Sequence, residues 1–342
     1  MRLDLNRDVL LFFEDFDRDT LFKNDRRLRR ALRRAYQSFR SGRPKVTGFE
    51  VWFTLLRQSL EKAGYRVHVN AFRLARSNPA FPVGVIGYPQ VVDDWNLPNP
   101  AVLGPGLYDH PSINPRLMED PRFRVYITTC DWYHDMFARV YGEERCAHWH
   151  GGFDLQNWPD LSGEAKDIDV LIYDKIRWRR DHFEQALLAP IRQALAARGL
   201  SSETVRYGSY DHAGYRQLLR RSRTMIFLCE HETQGMAYQE ALASNLPVLA
   251  WDPGVWVDPH AQDYDANPIR ACSVPFFDET CGERFADPSE FEAAFDQLWT
   301  RRGSYAPRSF VQSKLSMAES ANSYREHLLR AAREGVHSGR EG

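Results

Sequence analysis

Short apolar runs alternate with helix-period segments along the chain, and the alternation starts over once. The first series runs through "VLLFFEDF" (9–16), "YRVHVN" (65–70), "VGVIGY" (83–88), "AVLGPG" (101–106) and "RVYITT" (124–129). The second runs through "IDVLIYD" (168–174), "TVRYG" (204–208), "TMIFLC" (224–229) and "PVLAWD" (247–252). Continuous apolar runs of this length mark strands buried on both faces, and the helices between them are the crossovers that parallel strands need. Between the two series, "HWHGGFDLQNWPDLSGEAKD" (148–167) is rich in Gly, Asp, Asn, Pro and Trp and has no period, as an interdomain crossover would be. At 342 residues the chain is too long for one ordinary core. The expectation is two α/β domains in series, 1–150 and 168–315, joined by a linker over 151–167. A C-terminal helix over 316–342 is expected to pack back toward the first domain.

Local signals place several helix ends. Gly48 opens a helix whose apolar face is Trp52, Leu55, Leu56, Ser59 and Leu60, and Gly64 closes it. Asp287, Pro288 and Glu290 fit the N-cap, N1 and N3 positions of another, and Ser316 with Glu319 repeats the box pattern for the last helix.

Composition narrows the class. Apolar residues make up 43% and charged residues 27% of the chain, within the range of soluble globular proteins. No apolar run approaches the roughly 20 residues of a membrane span. The N-terminal "MRLDLNRDVLLFFEDF" turns acidic where a signal peptide needs small residues, so it reads as mature structure. Five scattered cysteines (130, 146, 229, 272 and 281) fit reduced thiols in a cytoplasmic protein better than a disulfide framework. A net charge of −1 gives no electrostatic case for nucleic acid as a partner. One segment is strongly basic: "DRRLRRALRRAYQSFR" sets Leu28, Leu32, Ala35 and Phe39 at helical spacing among Arg26, Arg27, Arg29, Arg30, Arg33 and Arg34. Two readings stand for it, a packed helix with a solvated arginine face, or a face for an anionic membrane surface or a phosphorylated acceptor.

The stretch "LCEHETQGMAYQEALASNLPVLAWD" (228–252) sets two carboxylates, Glu232 and Glu240, eight positions apart across a strand exit and the helix after it. That is the carboxyl edge of a parallel sheet, where open α/β sheets bind ligands. The stretch resembles the "EAMACGVPVVA" region of glycosyltransferase family 4, the group 1 retaining enzymes of GT-B fold. The order of elements agrees over nearly the whole chain. "KVTGFEVWFTLLRQSLEKAGYRVHV" looks like that family's glycine-led first helix and second strand. "RVYITTCDWYHDMFARVYG" looks like its last N-domain strand and following helix, and "WHGGFDLQNWPD" like its interdomain linker. "DVLIYDKIRWRR" matches the strand after which it places phosphate-binding cations. The resemblance implies a GT-B fold, two Rossmann-like domains facing each other across a cleft.

It also implies roles, each with a physical reason. Glu232 would lie by the donor sugar, and Glu240 would accept hydrogen bonds from the ribose diol of a nucleotide-diphosphate sugar. Gly235 permits close backbone approach, and the amides of Gln234, Gly235 and Met236 at a helix start favour a diphosphate. Lys175 would neutralise the departing diphosphate, with Arg179 or Arg180 as the second cation. The usual "GR…KG" spacing is absent, so a solvated helix face stays open for Arg177 and Arg179. Gly48 follows the family's glycine near the donor phosphates. On the acceptor side, "AVLGPGLYDHP" offers Asp109 and His110 near the anomeric carbon, against a role in stabilising the turn. A plain reading takes Glu232 and Glu240 as surface charge and a helix-start acid, but a mere cap explains only one of them.

No metal is expected. "CAHWH" (Cys146, His148 and His150) lacks a second cluster to complete four ligands, and Asp93–Asp94 is half of a DxD pattern that a GT-B enzyme does not need. No cofactor is expected beyond the donor. The expected function is retaining, metal-independent transfer of a sugar to an acceptor hydroxyl on a carbohydrate, lipid-linked or small molecule. A nucleotide-sugar epimerase of the same architecture and a non-catalytic sugar-nucleotide binding protein are the alternatives. The expected location is cytoplasmic, with peripheral contact at the inner membrane face left open by the arginine segment.

Overall fold

A computed structural model describes residues 2–14, 48–93, 95–265 and 267–337. The arginine-rich segment and Asp94 lie outside the described residues. The chain divides into two compact units. The first comprises Met1–Thr129, His134–Gly152 and Met317–Gly342, and the second Cys130–Tyr133 and Phe153–Ser316.

Among the described residues, the first unit builds a six-stranded parallel sheet from β1 (Asp8–Glu14), β2 (Arg66–Val69), β3 (Val83–Gly87), β4 (Ala101–Gly106), β5 (Phe123–Thr128) and β6 (Cys146–His148). Its order is β2-β1-β3-β4-β5-β6. Helix α1 (Gly48–Lys62) carries Glu50 in its first turn and Lys62 in its last, which suits the helix dipole. Its buried face, Leu56, Ser59 and Leu60, follows the predicted stripe. Helix α2 (Asp131–Tyr141) follows β5. On one face of the sheet, Val9, Leu11, Ile86, Val102, Val125 and Ile127 meet Leu56 and Leu60 of α1 and Ala321, Tyr324, Leu328 and Ala331 of the last helix. Gly84 leaves room for that helix, because a Cβ there would lie 2.4 Å from the Tyr324 hydroxyl oxygen.

The second unit builds a five-stranded parallel sheet from β7 (Ile168–Lys175), β8 (Ser202–Arg206), β9 (Ser222–Cys229), β10 (Val248–Trp251) and β11 (Gly282–Phe285), in the order β11-β10-β9-β7-β8. Its longer helices among the described residues are α3 (Ala189–Ala197), α4 (His212–Arg221), α5 (Met236–Ala243), α6 (Phe291–Arg301) and α7 (Pro307–Lys314). Alternate strand residues serve opposite faces. Val170, Ile172, Ile226, Leu228 and Leu249 pack with α3 and α6, while Leu171, Tyr173, Met225, Phe227 and Val248 pack with α4, α5 and α7. The predicted capping box is present ahead of α6, where Asp287 accepts from Ser289 and Glu290 reaches back to the Asp287 amide. Helix α8 (Met317–His337) ends the described chain and belongs to the first unit.

The strand order fixes where a ligand can enter. From β7 the chain goes to β8 on one side and then to β9 on the other, so the order reverses between β7 and β9. The crevice outside the carboxyl ends of those two strands is the switch point at which such sheets bind ligands.

Candidate functional site

Lys175 is the last residue of β7, paired across the ladder with Cys229 at the end of β9. Glu232 follows three positions later, and its Oε1 accepts from Lys175 Nζ. Both side chains keep limited solvent access, 15% for Lys175 and 13% for Glu232. Burial is the largest influence and disfavours the ammonium, but the Glu232 charge and hydrogen bond together with the nearby Cys229 thiol outweigh it, and the Lys175 pKa ends above its ordinary value. Lys175 also lies 4.6 Å above the ring of Tyr207, a side chain left 54% exposed just past β8. The backbone of Glu232 is pinned at both ends: its amide donates to Cys272 O at 2.9 Å, and Trp132 Nε1 donates to its carbonyl at 2.9 Å.

The turn before Glu232 is set by a carboxylate that the sequence reading passed over. Glu230 is fully buried, and its Oε1 accepts from the amides of Arg177 at 2.8 Å and Trp178 at 3.0 Å. It thereby closes the exit of β7 against the exit of β9. Arg177 returns a contact, with Nη2 donating to His231 O at 3.2 Å and the guanidinium lying over the Trp178 ring at 4.2 Å. Trp178 stacks on His231 at 5.2 Å between ring centres. Burial, with Arg177 and Lys175 nearby, pushes the His231 imidazole down to about 3.

The cations expected at the diphosphate are disposed unequally. Arg180 donates to Asp174 Oδ1 at 2.5 Å and to Glu184 Oε2 at 3.0 Å. Arg179 is exposed, in the left-handed backbone region at φ 48°, with its guanidinium 5.5 Å from the Phe183 ring. Arg177 is the arginine that touches the turn leading to Glu232.

Helix α5 begins directly after that turn. Gly235 stands at its N-cap with φ 80°, and a Cβ there would fall 2.1 Å from the Tyr238 ring, so the position excludes a side chain. First-turn amides have no acceptor within their own helix, so those around Gly235 and Met236 form an anion-favouring edge. The Gln234 side chain is buried and donates to Gln239, which donates back to the Gln234 carbonyl, so only the backbone of Gln234 serves this edge. Glu240 lies one turn into α5, 13% exposed, with Oε1 at 3.0 Å from His212 Nε2. Desolvation holds its carboxyl above the usual range, with His212 and Arg216 pulling the other way.

Lys175, Glu232, Gln234, Gly235, Met236 and Glu240 are thus gathered at one sheet edge. Gly48, Asp109 and His110 belong to the first unit. Gly48 is the first residue of α1, and among the described residues nothing lies within 4 Å of where its Cβ would be. Asp109 is exposed beyond β4. His110 is buried and caps the turn at Pro111–Ile113, with Nδ1 accepting from Ser112 N at 3.2 Å. Cys146 and His148 lie on β6, and burial pushes the Cys146 thiol up to about 12. Among the described residues no group of three His, Cys, Asp or Glu side chains is placed to hold a metal.

Glu230, His231, Tyr207 and His212 are the residues of this edge that sequence reasoning missed. A faint signal existed for His212, which directly follows Asp211, the N-cap of α4.

No protein-family model matches the chain, and no curated protein matches it. Solved structures match its fold. One is the lipopolysaccharide outer core galactosyltransferase WaaB in its apo form, with TM-score 0.53 and 9% identity over 94% of this chain and 99% of that one. Another is sucrose-phosphate synthase from Thermosynechococcus elongatus, with TM-score 0.50 and 12% identity over 95% of this chain and 100% of that one. The chain also aligns with a chain of the GtfA/B complex at TM-score 0.47 and 13% identity, but spans only 60% of that chain's length. The architecture is α/β of GT-B type, two Rossmann-like domains each built on a parallel sheet.

Proposed function

We propose that the chain is a glycosyltransferase that moves a sugar from a nucleotide-diphosphate sugar to an acceptor hydroxyl, with retention and without a metal. One observation carries this reading. The Lys175–Glu232 pair stands at the β7/β9 switch point, directly before the start of the helix that bears Glu240. In this reading Glu240 accepts from the ribose diol, and the amides at the start of α5 receive the diphosphate. Breaking the glycosidic bond places new negative charge on that diphosphate. Lys175 meets the charge from a fixed position, which lowers the barrier most where the charge is largest. Glu232 orients Lys175 and lies beside the donor sugar. The acceptor hydroxyl attacks on the face the diphosphate leaves, and the departing phosphate takes its proton. Asp109 and His110 are the acceptor-side candidates, and the acceptor is a carbohydrate, a lipid-linked sugar or a small molecule.

Thermal shift against a panel of nucleotide sugars tests the donor, because a ligand bound only to the folded chain raises its melting temperature. At least one should shift it, and turnover with an acceptor should then survive EDTA. No shift with any nucleotide sugar would remove the reading. Conversion of a nucleotide sugar to its epimer in the absence of acceptor would replace transfer by epimerisation. Activity lost to EDTA and restored by a divalent ion would remove the metal-free part.

A further inference from the structure

Glu240 has two oxygens, and the fold uses one of them. Oε1 lies 3.0 Å from His212 Nε2, while Oε2 has no hydrogen-bond partner among the described residues. His212 is well placed to hold that oxygen. It is the first residue of α4, whose start is fixed by Asp211 accepting from Gly214 N at 2.7 Å. Behind it stands Trp158, edge-on at 5.5 Å between ring centres, and the Arg216 guanidinium covers Trp158 at 4.1 Å. The imidazole is 51% exposed while the carboxylate is 13% exposed, so the histidine sits at the solvent side of the pair. A glutamate side chain turns freely about its last bond unless one oxygen is tied. Here one is tied and the other is left for a ligand.

We propose that His212 is the positioning residue of the donor site: by holding Oε1 of Glu240 it aims Oε2 at the 2′,3′-diol of a ribose, which makes the site selective for ribonucleotides over 2′-deoxyribonucleotides. The inference rests on the donor reading above and goes further, since it assigns a role to a residue outside the Glu232–Glu240 pair and sets which sugar of the nucleotide is read. A carboxylate held in place gives up no orientational freedom when the diol arrives, so His212 acts through Glu240 without touching the ligand.

The experiment is titration calorimetry of the full chain, of His212→Ala and of His212→Gln. The probes are UDP, GDP, ADP and CDP, each beside its 2′-deoxy counterpart. For whichever ribonucleotide binds, the wild type should prefer it to the deoxy form. His212→Ala should weaken ribonucleotide binding about tenfold, the usual scale of one charge-assisted hydrogen bond, and weaken the deoxy form, which keeps only the 3′-hydroxyl of the diol, markedly less. A merely structural histidine would weaken both alike. Glutamine can place an amide N–H near where Nε2 stands, so His212→Gln should bind within about threefold of wild type. Thermal melts check that both variants fold, as a half-exposed helix-start position should allow. Equal effects on the ribo and deoxy forms, or a glutamine variant no better than alanine, would overturn the positioning role and leave the donor reading standing. A wild type that binds none of the four ribonucleotides would overturn both.

Discussion

Burial disfavours the Lys175 ammonium most, but the Glu232 carboxylate beside it, with the Cys229 thiol, more than offsets that, so the side chain stays cationic at neutral pH. The pair also sets how the side chain is tested. If Lys175 meets a diphosphate that gains charge as its bond to the sugar breaks, its contribution is larger in the transition state than in the bound donor. Lys175→Ala should therefore lower turnover about 10²–10³-fold and donor affinity much less. Lys175→Arg should recover part of the rate, because a planar fork does not replace a compact charge held over the Tyr207 ring. Steady-state kinetics beside donor titration separate the two quantities. Near-wild-type turnover in the alanine variant would return Lys175 to a structural ion pair.

At the scale of elements, the turn from Glu230 to Gly235 is held by buried polar groups, which gives it a pH signature. His231 has a folded value of about 3 against about 6.5 in an unfolded chain. The unfolded state therefore binds the proton more readily. The contribution to stability is complete above about pH 6.5 and is lost as pH falls toward 3, with a slope of about 1.4 kcal/mol per pH unit. Urea midpoints at pH 7.5 and pH 5 should show a loss of about 1–2 kcal/mol that His231→Gln reduces. An unchanged pH dependence in that variant would place the loss elsewhere. The same turn shows why part of the site was legible in the sequence and part was not. The apolar runs announced β7, β9 and β10, and the resemblance placed Glu232, Gly235 and Glu240 at the edge those strands make. Glu230 carries no pattern, because a carboxylate in a polar loop reads as surface charge until the amides of Arg177 and Trp178 are seen to close on it. Arg179 and Arg180 looked equivalent in "RWRR". The left-handed backbone at Arg179 and the carboxylate of Asp174 distinguish them, and neither can be read from a run of basic residues. His212 was hidden by distance, since its partner Glu240 lies 28 positions away.

Across the whole molecule, each unit has its own sheet and its own core. If the donor is held by the second unit, hydrogen exchange should report it unequally. A bound nucleotide sugar should slow exchange at the end of β7, in residues 230–236 and at the start of α4, and leave the strands of the first unit unchanged. Protection centred on β1 to β5 instead would move the donor to the other unit. The first unit is also discontinuous along the chain, and this bears on its synthesis. Its last helix, α8, supplies Ala321, Tyr324, Leu328 and Ala331 to the core that Val102 and Val125 of the sheet share with Leu56 and Leu60 of α1. Apart from Cys130–Tyr133, the second unit occupies Phe153–Ser316, and all of it lies ahead of α8. On the ribosome, the domain that begins first is therefore completed last. Throughout the translation of residues 153–316 the nascent first sheet has α1 but lacks the part of its apolar cover that α8 supplies, and during that interval a chaperone has something to hold.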